Sequence, residues 1–270
     1  MRRSAFTLVE LLAVVGIIAL LIAILLPVLS KARQAAASVK ASSDLRQLLT
    51  GYLQYSIDNK GALLLGYPPL TVNGVPVVAE LTDGTLVGPP TSQRYPWRLI
   101  RHVSNVWPIM YYYGSVPDDD YVKGLSTGFG LNDVFLGGHD GPFFRGFNGD
   151  RPNTGKHVAF KASEIRRSSR QIVFTEAKRT IAGEHDGAFY VQPPRGNAPG
   201  PDDRWWVASP DGKTAIAKTS VFGGLPNGRF GNGTLVGFFD GHTEALTPRE
   251  LEDMRLWCPR ATSADYDFTP

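Results

Sequence analysis

Hydrophobic and polar positions follow two different rhythms in the first sixty residues. From Leu11 to Ser30 there are twenty residues without a charge, rich in Leu, Ile, Val and Ala. At about 1.5 Å of rise per residue a helix over this run covers roughly 30 Å, the thickness of a bilayer's hydrocarbon core. The pattern then becomes periodic. Ala32, Ala35, Val39, Leu45, Leu48, Leu49, Tyr52 and Leu53 recur at three- and four-residue steps, interleaved with Lys31, Arg33, Lys40, Asp44 and Arg46. That spacing marks one buried helix face. Asp58-Asn59-Lys60-Gly61 supplies a stop, with Gly61 suited to the position just beyond a helix. The prediction is one helix from Thr7 to near Asn59, roughly 80 Å long, apolar over about residues 10–30 and amphipathic beyond.

After residue 60 the pattern shortens. Ala62–Leu65, Val75–Leu81, Gln171–Thr175, Ala188–Val191 and Thr234–Phe239 are rich in β-branched or aromatic residues and bounded by Gly, Pro, Asn or Asp, which predicts strands. Thr243–Leu246 continues beyond the last of them. Two helices are expected, Tyr95–His102 and Arg249–Leu256. The second has Thr247 as N-cap, Pro248 in the first turn, and Glu250 and Glu252 favouring the dipole. A sheet backed by the amphipathic half of the long helix makes the expected fold class α+β, with a small, loop-rich and mostly antiparallel sheet domain.

Composition sharpens this division. Nearly all of the 29 glycines and 20 prolines lie beyond residue 60, so a helix-friendly head precedes a turn-rich body. Net charge is only +3 and the basic residues are scattered, so no face-wide positive field for nucleic acid is expected. Cys258 is the one cysteine, which excludes an intramolecular disulfide.

The apolar run admits three readings. A secretory signal peptide matches the basic start, MRRSA, and Ala35-Ala36-Ala37 passes for a cleavage site, but the run is too long and Glu10 brings such a signal no gain. A plain single-pass anchor accommodates Glu10 awkwardly, because an ionisable group at the edge of hydrocarbon is expensive and usually paired. The third reading rests on Ala5-Phe6-Thr7-Leu8-Val9-Glu10, which resembles the processing site of type IV prepilins and type II secretion pseudopilins. The resemblance implies that a prepilin peptidase cuts between Ala5 and Phe6, that Phe6 is then N-methylated, and that Glu10 is the assembly carboxylate pairing with a neighbouring subunit's terminal amine. Pro27 stands where members of that family loosen or bend the helix. One departure is Ala5, where the family usually has glycine. The same resemblance, and not the weak charge bias of Arg2 and Arg3 against Lys31 and Arg33, implies a cytoplasmic amino terminus.

The body is also similar to a group of prepilin-type proteins with a carboxy-terminal motif written H-x9-DG. Asp240-Gly241 supplies its DG, but the histidine position is Phe230, so the motif is degenerate. Asp44–Leu48, Phe129–Asn132, Ser163–Arg167 and Phe174–Ala177 are further family-like stretches. From the residues alone, Asp-Gly between two strands predicts a hairpin turn over Phe239–His242, a structural role rather than a site.

Other candidates read as structure. Asp118-Asp119-Asp120 and Asp202-Asp203 offer oxygens to calcium but lack EF-hand spacing, so solvated acidic loops are expected. The five histidines show no ligand spacing, and His139-Asp140 and His185-Asp186 read as turns. No metal, cofactor or catalytic motif is expected. Trp97, Trp107, Trp205, Trp206 and Tyr111-Tyr112-Tyr113 suit core packing, with a carbohydrate-stacking surface as the alternative.

The domain expectation is a leader over residues 1–5, a pilin-like helix over 6–60 and an extracytoplasmic domain over 61–270. The expected function is that of a non-enzymatic structural subunit, probed through prepilin peptidase, other pilin-like subunits and inner-membrane lipid as partners, and built into a type IV pilus or type II secretion pseudopilus as a minor subunit. The alternative is a membrane-tethered module that binds carbohydrate or another surface ligand and does not polymerise.

Overall fold

The structure, a computed structural model, describes residues 8–111, 116–139, 157–179, 187–195, 204–218, 223–229 and 233–266. Helix α1 runs from Leu8 to Asp58, within a residue of the expected bounds at each end. Its carboxy-terminal stop is a Schellman motif: the Gly61 N–H donates to the Ser56 carbonyl at 2.7 Å and Lys60 to Ile57 at 3.2 Å. Lys60 itself takes the left-handed conformation expected of a glycine, with Gly61 following at φ +82°.

Two compact units divide the chain between Lys40 and Ala41, inside α1. In the first unit the large apolar residues from Leu8 to Leu29 are exposed. In the second, the helix face of Leu45, Leu48, Leu49 and Tyr52 is fully buried. The predicted face therefore starts later than its periodicity suggested, because Val39 is 72 % exposed and burial begins only at Ala41. Asp44, placed by its charge on the polar side, is also buried.

The body contains two small ribbons, β1 (Thr71–Val72) with β2 (Val75–Pro76) and β3 (Ala79–Glu80) with β4 (Leu86–Val87). Short helices α2 (Tyr95–Leu99) and α3 (Asp120–Leu125) follow. The central sheet is built from β5 (Phe129–Leu131), β6 (Ile172–Glu176), β11 (Thr234–Phe238) and β12 (Thr243–Leu246), in the order β12-β11-β6-β5 and antiparallel throughout. Smaller pairs join β7 (Lys178–Arg179) to β10 (Gly224–Leu225) and β8 (Trp206–Ala208) to β9 (Ala215–Ala217). The α+β class holds, with the outer part of α1 lying on this sheet.

Gly237 in β11 lets the helix come this close. A Cβ there would sit 2.7 Å from Leu49 Cδ1 and 3.2 Å from Leu45 Cδ1. Tyr52 packs edge-on against Phe174 at 5.8 Å and Phe239 at 6.4 Å. On the other face Ile172, Val236 and Phe238 join Trp205, Trp206, Leu251 and Trp257 in a second core.

Several expected elements differ. Val75–Leu81 is divided between β2 and β3, since Pro76 has no N–H with which to extend the ladder. Ala62–Leu65 and Ala188–Val191 form no named strand; their ladder pairing is limited to isolated bridges at Ala62, Tyr190 and Val191. Beyond Leu99, the expected helix tightens into a 3-10 turn, Ile100–Val103. Arg249–Leu256 is not one α-helix but two 3-10 turns, Glu250–Glu252 and Met254–Leu256. Thr247 and Glu250 do form a reciprocal pair, the Thr247 hydroxyl accepting the Glu250 N–H at 3.3 Å and the Glu250 carboxylate accepting the Thr247 N–H at 2.8 Å, although Arg249 is the residue that directly precedes the first 3-10 turn. Asp253 then interrupts the helix, because it is extended and its side chain accepts the Arg255 N–H at 2.9 Å.

Candidate functional site

The residues singled out by sequence fall in three places. Ala5, Phe6 and Phe230 lie outside the described residues. Glu10 is in the first turn of α1, where the helix dipole favours a carboxylate. Pro27 sits within the assigned helix, which continues through it. Having no N–H, Pro27 leaves the Ala23 carbonyl without its i+4 donor and weakens the ladder near the end of the apolar run. The stretch as a whole is long and apolar enough to cross a membrane, with no part of it buried inside the protein. An exposed apolar surface of this size favours lipid or packing against other apolar surfaces over water.

Asp240 and Gly241 form the β11–β12 hairpin, one residue earlier than expected. The Gly241 N–H donates to the Phe238 carbonyl at 3.0 Å and the Phe238 N–H to the His242 carbonyl at 3.0 Å. The loop is thus Phe239-Asp240-Gly241, and Gly241 ends it at φ +93°, a conformation that glycine adopts without strain. Asp240 Oδ1 accepts the His242 N–H at 3.2 Å and lies 2.5 Å from that ring's Nδ1. Partial burial works against ionisation there, but these contacts outweigh it and hold the Asp240 carboxyl below the usual carboxylate range. The ring that meets this aspartate therefore comes from His242, stacked on Phe238 at 4.4 Å. The start of β12 is tied to α1 by Thr243 Oγ1, 3.0 Å from Ser42 Oγ and 3.1 Å from Arg46 Nε. The hairpin braces the helix.

Polar side chains from two of the other family-like stretches, Phe129–Asn132 and Ser163–Arg167, and from nearby Gln171 bond within the body. Asn132, just after β5, donates to the carbonyls of Ile172 at 3.0 Å and Trp257 at 2.8 Å. Gln171 donates to the Trp257 carbonyl at 2.7 Å. Glu164 accepts the Phe160 N–H at 2.9 Å, and Arg167 donates to the Ala261 carbonyl at 2.7 Å. The two buried amides, Asn132 and Gln171, together with Arg167 tie the carboxy-terminal segment to the rest of the body.

The remaining candidates take structural positions. Asp119 caps α3 by accepting the Val122 N–H at 2.8 Å, and Asp120 pairs with Lys123 at 2.9 Å. Asp202, Asp203, His185, Tyr112 and Tyr113 lie outside the described residues. Trp97, Trp205, Trp206 and Tyr111 are buried and Trp107 is half-buried, so the described aromatics are packed in the cores rather than displayed. Among the described residues no cluster of His, Cys, Asp or Glu is arranged to hold a metal.

One constellation had no signal in the sequence. His139, read as part of a turn, is buried with Nδ1 2.7 Å from the equally buried Asp133. Burial pushes the Asp133 carboxyl up, against the pull of His139 and Arg98. Tyr67 and Tyr190 enclose the imidazole at 5.1 and 4.7 Å. Arg98 donates to the carbonyls of Leu65, Gly66, Ser92 and Gln93. This is a buried polar clasp.

A second histidine gives the body a pH dependence. His102 stands against the end of α1, with Nε2 3.5 Å from Asp58 and its ring edge-on to Tyr55 at 5.2 Å. Burial lowers its pKa, with Asp58 opposing and Arg101 assisting. A histidine depressed on folding binds fewer protons in the native state than in the unfolded chain. Stability is therefore complete above the ordinary histidine value of about 6.5 and declines as pH falls through the lower native value. In urea unfolding at stepped pH, His102→Gln is expected to have a shallower decline than the wild type over the acidic side of pH 6.5; superimposable slopes would contradict this.

Comparisons with protein-family models, curated proteins and solved structures find no match.

Proposed function

We propose that the chain is a prepilin- or pseudopilin-like structural subunit. The observation that carries this reading is an exposed apolar helical segment entered by a single carboxylate, Glu10, and followed by a compact body that starts at Ala41. A plain anchor accounts for the apolar length but gives no reason for the carboxylate. A processing cut after Ala5 gives one, because it places the new Phe6 amine at the same depth as a neighbouring subunit's Glu10. In lipid or in a helix bundle, a carboxylate and a cation stabilise each other only when paired.

In this reading the subunit is held in the inner membrane with its amino terminus cytoplasmic and its body outside. Prepilin peptidase removes residues 1–5 and Phe6 is methylated. The apolar helix then leaves lipid for the helix bundle of a pilus or pseudopilus, a transfer between similarly non-polar surroundings. The size of the body favours a minor subunit. Mechanical shearing of cells that express the chain with its peptidase and assembly machinery tests this. The chain is expected in the sheared filament fraction at its mature mass; confinement to the membrane fraction would replace the subunit by the tethered, non-polymerising module.

A further inference from the structure

The second core carries a cleft on its outer side that the assembly reading does not use. Its volume is about 320 Å³, and Arg195, Arg204, Trp206, Arg249 and Glu252 are among its lining residues. That volume is at the small end of ligand-site sizes and suits a compact molecule rather than a polymer. Arg195 and Arg204 face each other across an antiparallel bridge, so their side chains leave neighbouring backbone positions. Arg249 enters from the turn after β12.

Charge in the cleft is unevenly committed. Asp253, also in the lining, is gripped by Arg255 at 2.6–3.0 Å. Glu252 Oε1 accepts the Ala208 N–H at 2.8 Å. Asp265 is exposed at the rim. Arg195, by contrast, is half-buried and makes no hydrogen bond or ion pair with the described residues. Arg249 makes one long contact, 3.4 Å to the Pro210 carbonyl. Two guanidinium groups thus keep donors available, over a floor fixed by the Trp206 indole, which donates to the Gln192 carbonyl at 2.8 Å. Guanidinium forks match the paired oxygens of carboxylate and phosphate.

We propose that this cleft binds a small ligand through a carboxylate or phosphate group held by Arg195 and Arg249. The proposal does not depend on filament assembly. Calorimetric titration of the full-length chain in detergent, with inorganic phosphate in one arm and succinate in the other at matched ionic strength, tests it. Saturable binding in either arm is expected, and the responding arm identifies the oxyanion. The Arg195→Gln/Arg249→Gln variant should bind at least about tenfold more weakly. Arg166→Gln/Arg260→Gln, which removes the same charge from exposed positions outside the cleft, should bind as the wild type does. Unfolding midpoints establish that both variants are folded. The proposal is overturned if neither probe saturates, if the cleft variant keeps wild-type affinity, or if both variants lose affinity equally.

Discussion

Glu10→Ala is expected to leave removal of residues 1–5 intact while the chain disappears from the sheared filament fraction. The two effects separate because, in the proposed reading, the cut lies before Phe6 whereas the carboxylate acts only when a second helix arrives. In the proposed assembly, each incoming Phe6 amine meets a Glu10 in surroundings that solvate neither. Breaking such a buried pair by deleting one partner costs about 3–5 kcal/mol, because the remaining charge is stranded. A loss of that size at every successive contact is enough to stop growth. Glu10→Gln keeps the shape without the charge and should fail as well. Glu10→Asp, with the charge drawn back by one methylene, should recover part of the wild-type yield. Quantitative immunoblots of sheared and cell fractions provide the comparison. Normal filament yield with Glu10→Ala would remove the pairing role.

The second large effect belongs to the body. Leu48→Ala is expected to lower the stability of residues 41–270 by about 2–5 kcal/mol, the combined loss of apolar burial and of the cavity left behind. Leu48 is fully buried in the core between α1 and the sheet. Close packing against Gly237 gives that core little room to collapse, since neighbouring Leu49 and Leu45 already occupy the space above the strand. Val39→Ala, on the same predicted stripe but 72 % exposed, should change stability by less than about 0.5 kcal/mol. Urea unfolding followed by the emission of buried Trp205, Trp206 and Trp257 reads both variants. Equal effects at positions 39 and 48 would contradict the placement of the helix face.

These two predictions draw on what the sequence made most legible. Alternation at three and four residues located the Leu45–Tyr52 face because that signal is local and repeated. Short runs of β-branched residues located β6 and β11 for the same reason, and the Asp240-Gly241 pair pointed to a partner strand beyond its turn, where β12 lies. Gly241 was recognisable as a turn, although the bonds from Phe238 to Gly241 and His242 move its start by one residue.

Long-range polar choices left no such trace. Asn132 reaches the Trp257 carbonyl across 125 positions, and Asp133 meets His139 only after the chain has folded around Tyr67 and Tyr190. Nothing in the local pattern distinguishes those side chains from exposed polar ones. The carboxy-terminal helix was overextended for a related reason. Its start signal at Thr247 is real, but Asp253 turns its carboxylate on Arg255 and diverts the backbone. The arginines of the outer cleft are likewise brought together by tertiary structure, Arg195 and Arg204 through a bridge and Arg249 through the turn after β12. Their spacing in sequence gives no motif.

The central claim is that the amino-terminal segment is a processed assembly helix, not a permanent anchor. Intact-mass and amino-terminal peptide mass spectrometry, on chain produced with and without prepilin peptidase, tests it most directly. With the peptidase the account predicts a mature chain starting at N-methylated Phe6, and without it an intact chain starting at Met1. An unprocessed Met1 terminus in both preparations, or a cut elsewhere such as after Ala37, would contradict it.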